Sequence, residues 1–480
     1  MPKTPGAQKH EPASFGFNRF GIDPSAAPPE EAATPEWLMP KASKPVSRNR
    51  YARYYPTQAN LVTDLATSSP GKLVIAAFVL IVMCVSAGAI TATSISARQD
   101  QLDTMISSTE PIAHSALELY TALSVADAAA STAFVFGGIE PDDVRTRYIH
   151  AARDAARSLV NASSQVGEEN TRAQRLLAEI AMQLPIYTGL IETARANNRV
   201  GNPVGAAYLN EASHLMRTEV LPRSEDLYRT QAARISDGHD TFIRPPLLAV
   251  FAVFLVIVAL VAAQFRLSRK TQRTINAGWL IGSLLMTLVL VWLLTVGLYS
   301  RAEATRAADE GARPLEALAT VRILAQQARS DETLGLARRG EAAEIEASFR
   351  NTSATLTQRL TALHDDARVT VGRSAIDDAI TANEDWVTTH DRMSALYSAG
   401  DHLEAANIAV GPGTDGSTAS FAALDDALQE GITDTRAELR SALIRARTAL
   451  VFAAGGVLGL SVAAGLAIAA GVWPRLREYQ

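Results

Sequence analysis

Four long apolar runs constrain this chain more than any other feature. They occupy residues 73–95, 247–265, 279–299 and 450–472, and none carries Asp, Glu, Lys, Arg or His. A bilayer core of about 30 Å takes about 20 helical residues, so each run is long enough to cross one. Inside hydrocarbon every backbone N–H and C=O must be paired within its own segment, so helices are expected. The lack of central charges argues against a pump or secondary transporter, whose pathways are lined by such groups. Some 72 residues precede the first run, far more than the short basic region of a cleavable leader, so the run reads as a signal anchor.

The lysines set the orientation. They stand at positions 3, 9, 41, 44, 72 and 270, and none lies in either long segment between runs. The short segment holding Arg266, Arg269, Lys270 and Arg273 is therefore expected on the cytoplasmic side, together with both termini. Arg475 and Arg477 agree, while Arg98, Arg244 and Arg301 count mildly against. The expected division is a Pro-rich cytoplasmic tail (1–72), a first span (73–97), an extracytoplasmic segment (98–243) and a second span (244–265). A basic hinge (266–277), a third span (278–300), a second extracytoplasmic segment (301–448), a fourth span (449–473) and a short cytoplasmic end (474–480) complete it.

The tail mixes proline with Ser, Thr, Ala and basic residues, a composition that cannot bury a core and is expected to be disordered. Two apolar islands interrupt it, FGFNRFGI with Phe15, Phe17 and Phe20, and PEWLMP with Trp37, Leu38 and Met39. These are candidate docking motifs for a cytoplasmic partner, as are Arg269, Lys270 and Arg273 of the hinge. Tyr51, Arg53, Tyr54 and Tyr55 are expected to rest on membrane lipid headgroups.

Both long segments read as helix. In the first, Ile112, Ala116, Leu119, Leu123, Ala126, Ala130, Ala133 and Gly137 recur at four-three steps, the seam of a left-handed bundle. Breakers at GGIEPDD, SSQVGEEN and NNRVGNP divide it into four helices, an up-down bundle. In the second, breaks fall at RRGEA, near residues 370–373 and at SAGD, and GPGTDGSTAS (411–420) reads as a loop interrupting the last helix. The segments look like an internal duplication: Pro111 matches Pro314, Gly137 matches Gly340, Tyr187 falls near Trp386, and Glu225–Asp226 near Asp425–Asp426. The fold class expected is thus all-α, with four transmembrane helices and two tandem extracytoplasmic antiparallel four-helix bundles resembling chemoreceptor sensors. The two units are expected to pair, within one chain as a pseudo-dimer or between chains as a homodimer. In the fourth run Gly455 and Gly459 have the spacing of a helix-packing motif.

No catalytic constellation stands out. The histidines are scattered; His364 with Asp365 and Asp366 reads as a helix surface, without the tight ligand spacing of a metal site. No nucleotide loop or kinase signature is present. No enzyme activity, metal, cofactor or nucleic-acid partner is expected, and Cys84 reads as a small apolar residue within the first run. Arg is the only fixed cation of the outer segments and is the natural carboxylate clamp, so an Arg pair between helices is a candidate ligand site whose members the sequence does not single out. With short cytoplasmic parts, the signal is expected to pass to a separate protein.

The two span–bundle–span repeats, the Pro-rich tail, the basic hinge and the WPRLREYQ end resemble the GlnX family of actinobacterial transmembrane signalling proteins. The resemblance covers the four spans and both outer segments and is architectural, with no catalytic motif behind it. It implies work with an extracytoplasmic amino-acid-binding lipoprotein, GlnH, and coupling to a cytoplasmic serine/threonine kinase, protein kinase G. Two other readings stand beside it: a direct small-molecule receptor, and a non-catalytic accessory or scaffold of an amino-acid importer.

Overall fold

The structure, a computed structural model, describes residues 69–135, 140–243, 247–271, 276–337, 342–411 and 415–477. The tail motifs with Phe15, Phe17, Phe20, Trp37, Leu38 and Met39 lie outside the described residues, as do Arg273 and the Lys270 side chain. Every regular element among the described residues is helical.

The first repeat begins with α1 (Ser69–Thr104), which passes through one π-helical stretch (Met105–Thr109) into α2 (Glu110–Val135). Then come α3 (Asp142–Gln165), α4 (Thr171–Arg199) and α5 (Val204–Leu215), the last passing through a second π stretch (Met216–Val220) into α6 (Leu221–Ile243). Helix α7 (Leu247–Thr271) closes the repeat. The second repeat starts with α8 (Ala277–Arg306), which runs through a third π stretch (Ala307–Ala312) into α9 (Arg313–Ala337). It continues with α10 (Ala342–Asp365), α11 (Arg373–Ser398), α12 (His402–Val410), α13 (Ser417–Val451) and α14 (Ala453–Arg477). Four of these continuous helices are long and apolar enough to cross a membrane.

The π stretches have a common cause. Each ends two residues before a proline, at Pro111, Pro222 and Pro314. A proline inside a helix has no N–H for the carbonyl four residues back, and its ring collides with that carbonyl. The chain responds by widening: the residue before each proline hydrogen-bonds five residues back, Glu110 to Met105, Leu221 to Met216 and Arg313 to Ala308. The helices thereby pass from span to bundle without a break. Helix α13, which has no proline, carries no such stretch.

The breaks fall where turn chemistry supplies them. Asn170 caps α4 by accepting the Ala173 N–H, and Asp401 caps α12 by accepting that of Glu404. Gly201 and Gly400 stand at equivalent points of the two repeats, each with positive φ (72° and 88°), which only glycine adopts without cost. The GPGTDGSTAS stretch differs from expectation: α13 already begins at Ser417, so Ser417–Ser420 are its first turn rather than loop.

In the first bundle α2 packs on α3 and α6, and α4 on α5 and α6; in the second α9 packs on α10 and α13, and α11 on α12 and α13. Helices α1, α14, α8 and α7 pack in that order as a closed ring. The bundles meet where α2 lies against α9. This explains a departure from the single seam read in α2. The seam residues from Ile112 to Ala133 are buried, but so are Ala113, Leu117, Tyr120, Ala122 and Ala129 on other faces. Helix α2 serves its own bundle on one side and α9 on the other.

Within the span ring, the glycine spacing at Gly455 and Gly459 does not mark the close approach: a Cβ at either would meet nothing within 4 Å. The contact falls on neighbouring faces. Gly456 lies under the Trp292 ring, Gly88 faces Ser461, and Gly278 and Gly471 bring the α8 and α14 backbones together. There the Asn276 amide donates to the Gly471 carbonyl at 2.9 Å while its oxygen caps Gly278. The basic hinge is shorter than read from sequence, because α7 continues to Thr271 and carries Arg266 and Arg269 on exposed positions of its last turns.

Candidate functional site

Each bundle buries a carboxylate on its first helix that two other helices answer. In the first bundle this is Asp127 on α2, which accepts from the Tyr187 hydroxyl of α4 (3.3 Å) and the Ser213 hydroxyl of α5 (3.0 Å). In the second it is Glu332 on α9, whose side chain is fully enclosed at 0% exposure. The Trp386 indole N–H of α11 (3.3 Å) and the Ser417 hydroxyl of α13 (2.6 Å) donate to it. Tyr187 and Trp386, matched from sequence as repeat markers, thus do the same work in both copies.

The second bundle adds charge to this plan. Arg329, one turn before Glu332 on the face turned inward, pairs with it and also donates to Ser417 (3.0 Å), Thr418 (2.8 Å) and the Ala409 carbonyl (3.3 Å). His390, one turn beyond Trp386, stacks on Phe349 with ring centroids 3.5 Å apart. Its Nδ1 lies 3.0 Å from Glu332 and its Nε2 3.1 Å from Glu346 of α10. Carboxylates accept and do not donate, so both ring nitrogens must carry hydrogen and the ring is an imidazolium. Five helices are tied together through Glu332 and its partners.

The electrostatics follow from that geometry. Burial disfavours the charged form of His390, but hydrogen bonding and charge from Glu332, then from Glu346, outweigh it and hold its pKa above the ordinary value. Glu332 stands some 30 residues past the apolar run of α8. Burial there raises its pKa, yet Arg329 and then His390 and Ser417 bring it down to about 2. A histidine with a raised folded-state pKa contributes stability that is fully present below about pH 6.5 and is lost as pH rises through the folded value. Thermal melting of the detergent-purified protein is therefore expected to drop in that alkaline window, and His390→Gln to flatten the drop. An unchanged pH profile in the variant would remove His390 from this role.

Beside the network lies a cavity of about 300 Å³. Asp331, Glu332, Glu346 and His390 face it, with Leu336, Ile345, Phe349, Met393 and Tyr397 as apolar wall. Among the described residues no trio of His, Cys, Asp or Glu is placed to hold a metal ion; His364 pairs with Asp377 on the surface at 2.7 Å.

Several arginines of the two bundles are taken by the protein's own carboxylates. Arg195 pairs with Glu140 and Glu192, and its guanidinium lies over the Tyr148 ring. Arg322 of α9, 6% exposed, grips Asp425 of α13 through two nitrogens (2.9 and 3.0 Å) and reaches Glu118 of α2 at 3.3 Å. Arg436 of α13 holds the buried Glu110 of α2, and Arg447 holds Asp103 of α1. The last three cross from one repeat to the other. Of the acidic pairs matched between repeats, Asp226 meets the exposed Arg172 within its bundle, whereas Asp425 anchors Arg322 at the seam between bundles.

Residues 101–240 match the family model of the actinobacterial sensor domain. The match coincides with the first bundle. No curated protein and no solved structure matches the chain. The class defined by these observations is an all-α membrane protein carrying a sensor domain of actinobacterial type, which supports a sensing role.

Sequence reasoning placed none of Arg329, Glu332, Glu346 or His390 in a site. The one legible signal was the Arg329-to-Glu332 spacing, which puts an ion pair on one face of a helix otherwise rich in small residues.

Proposed function

We propose that this chain is a transmembrane signal transducer that relays extracytoplasmic amino-acid availability to a cytoplasmic serine/threonine kinase. The cue reaches it through an amino-acid-binding lipoprotein docked on the outer bundles. The observation that carries the reading is mechanical. Two helices, α1 into α2 and α8 into α9, run unbroken from span to bundle, and their far halves lie against each other. A partner that shifts α2 against α9 moves both spans, the kind of few-ångström helix displacement used in switching. Such a partner acts only through a difference in its affinity for the two arrangements. The occupied arginines favour a separate binding protein over direct capture of an acidic amino acid, since every clamp named above already holds a carboxylate.

The test is a pull-down from detergent with the full chain and a form lacking residues 1–60, read by mass spectrometry. An amino-acid-binding lipoprotein with both forms, and a kinase with the full chain alone, is the expected result. Recovery of importer subunits without a kinase would overturn it in favour of an accessory role.

A further inference from the structure

We propose that the cavity of the second bundle binds a small amphipathic amine directly, a second input to the transducer beyond the one delivered by a protein partner. The inference rests on the reading of the chain as a sensor. The volume of about 300 Å³ stands at the lower end of the roughly 300–1,000 Å³ usual for small-molecule sites. Charge selects the ligand class. Among the described residues three carboxylates face the space, from Asp331, Glu332 and Glu346, against one cation, His390. Both nitrogens of that cation are already engaged by Glu332 and Glu346. Among the described residues, a carboxylate-bearing ligand would meet like charge with no further cation lining the wall to receive it. An ammonium group meets the reverse.

The two carboxylates nearer the surface have capacity for it. Glu346 accepts from His390 and from Arg350 Nε (2.7 Å), one hydrogen bond on each oxygen. Asp331 accepts from Ser348 through one oxygen at 2.7 Å. A carboxylate offers about four acceptor positions, so both can take a further donor. Apart from Ser394 and Ser398, the rest of the wall is apolar and aromatic, with Phe349 stacked flat on His390, and it suits a branched or aromatic body. The ammonium and the imidazolium then compete for Glu346. Binding favours the neutral ring, loosens the α10–α11 link and is tighter at higher pH.

The probe is 2-phenylethylamine, titrated calorimetrically into the full-length protein in detergent, with L-phenylalanine and 3-phenylpropionate as comparators. The expected result is saturable binding of the amine alone, weakened roughly tenfold or more by Glu346→Gln and strengthened between pH 6 and 8. Ala343→Phe, on an exposed position at the mouth, blocks the site without touching a charge and is expected to abolish binding while leaving the melting temperature unchanged. Equal binding of the two carboxylate-bearing comparators would overturn the proposal, as would no heat from the amine at roughly 10 mM or full binding in both variants. None of these outcomes depends on lipoprotein or kinase, so failure here leaves the relay standing, and failure of the pull-down leaves the cavity standing.

Discussion

Replacing Glu332 with alanine is expected to cost the second bundle about 3–5 kcal/mol, the range for removing one member of a buried ion pair. The reason is what remains behind. Arg329, 6% exposed, would keep its charge in the core without a counter-ion, His390 would keep only Glu346, and the Trp386 indole would keep only its 2.9 Å bond to Ser417. A drop of this size takes a large share of the 5–15 kcal/mol that usually holds a domain. The corresponding change in the first bundle, Asp127→Ala, removes the partner of two neutral hydroxyls and is expected to cost less, about 1–3 kcal/mol. Circular-dichroism melting of the two variants compares them directly. A smaller loss for Glu332→Ala than for Asp127→Ala would contradict the central place given to the network.

Arg322→Ala is expected to separate the bundles rather than unfold either. Its guanidinium joins α9 to α13 within its repeat and to Glu118 of α2 in the other, so its loss leaves Asp425 at the seam with the Gln326 amide but no counter-ion from α9. Lysine is not an adequate replacement, because it cannot grip a carboxylate with two nitrogens from one plane. Hydrogen exchange should rise selectively in α2 and α9, with α4 and α11 unaffected. Glu118→Ala is expected to be mild, since that side chain is one-third exposed and Asp425 still holds the arginine. Uniform exchange in Arg322→Ala would mean that packing of small side chains alone couples the bundles.

Why some features were legible and others not has a physical answer. The spans and most loops are local statements: apolar length, a glycine at positive φ, an Asn or Asp cap. Residues within one window decide them. The continuity of α1 with α2 is local too, because Pro111 is absorbed by a π stretch rather than a break. The double burial of α2 was missed because an alanine-rich helix gives the same periodicity whether one partner or two lie against it. The span contacts at Gly456, Gly278 and Gly471, rather than Gly455 and Gly459, depend on the rotation of each helix, which spacing alone does not fix. The buried network joins residues 329, 332, 346, 390 and 417, brought together only by the fold. Sequence matched Trp386 to Tyr187 but gave no hint that each serves a carboxylate.

One chain supplies both bundles, joined where α2 lies against α9. Asp103 of α1 and Arg447 of α13 are an ion pair about half exposed, in different repeats, near the start of the bundles. With Cys84→Ser as background, cysteines placed at 103 and 447 and oxidised in intact cells test the pairing. Two differently tagged copies co-expressed report whether the link is internal. A disulfide confined to single chains is the predicted result. Links found only between differently tagged chains would show that the repeats pair across a homodimer instead, and would contradict the account.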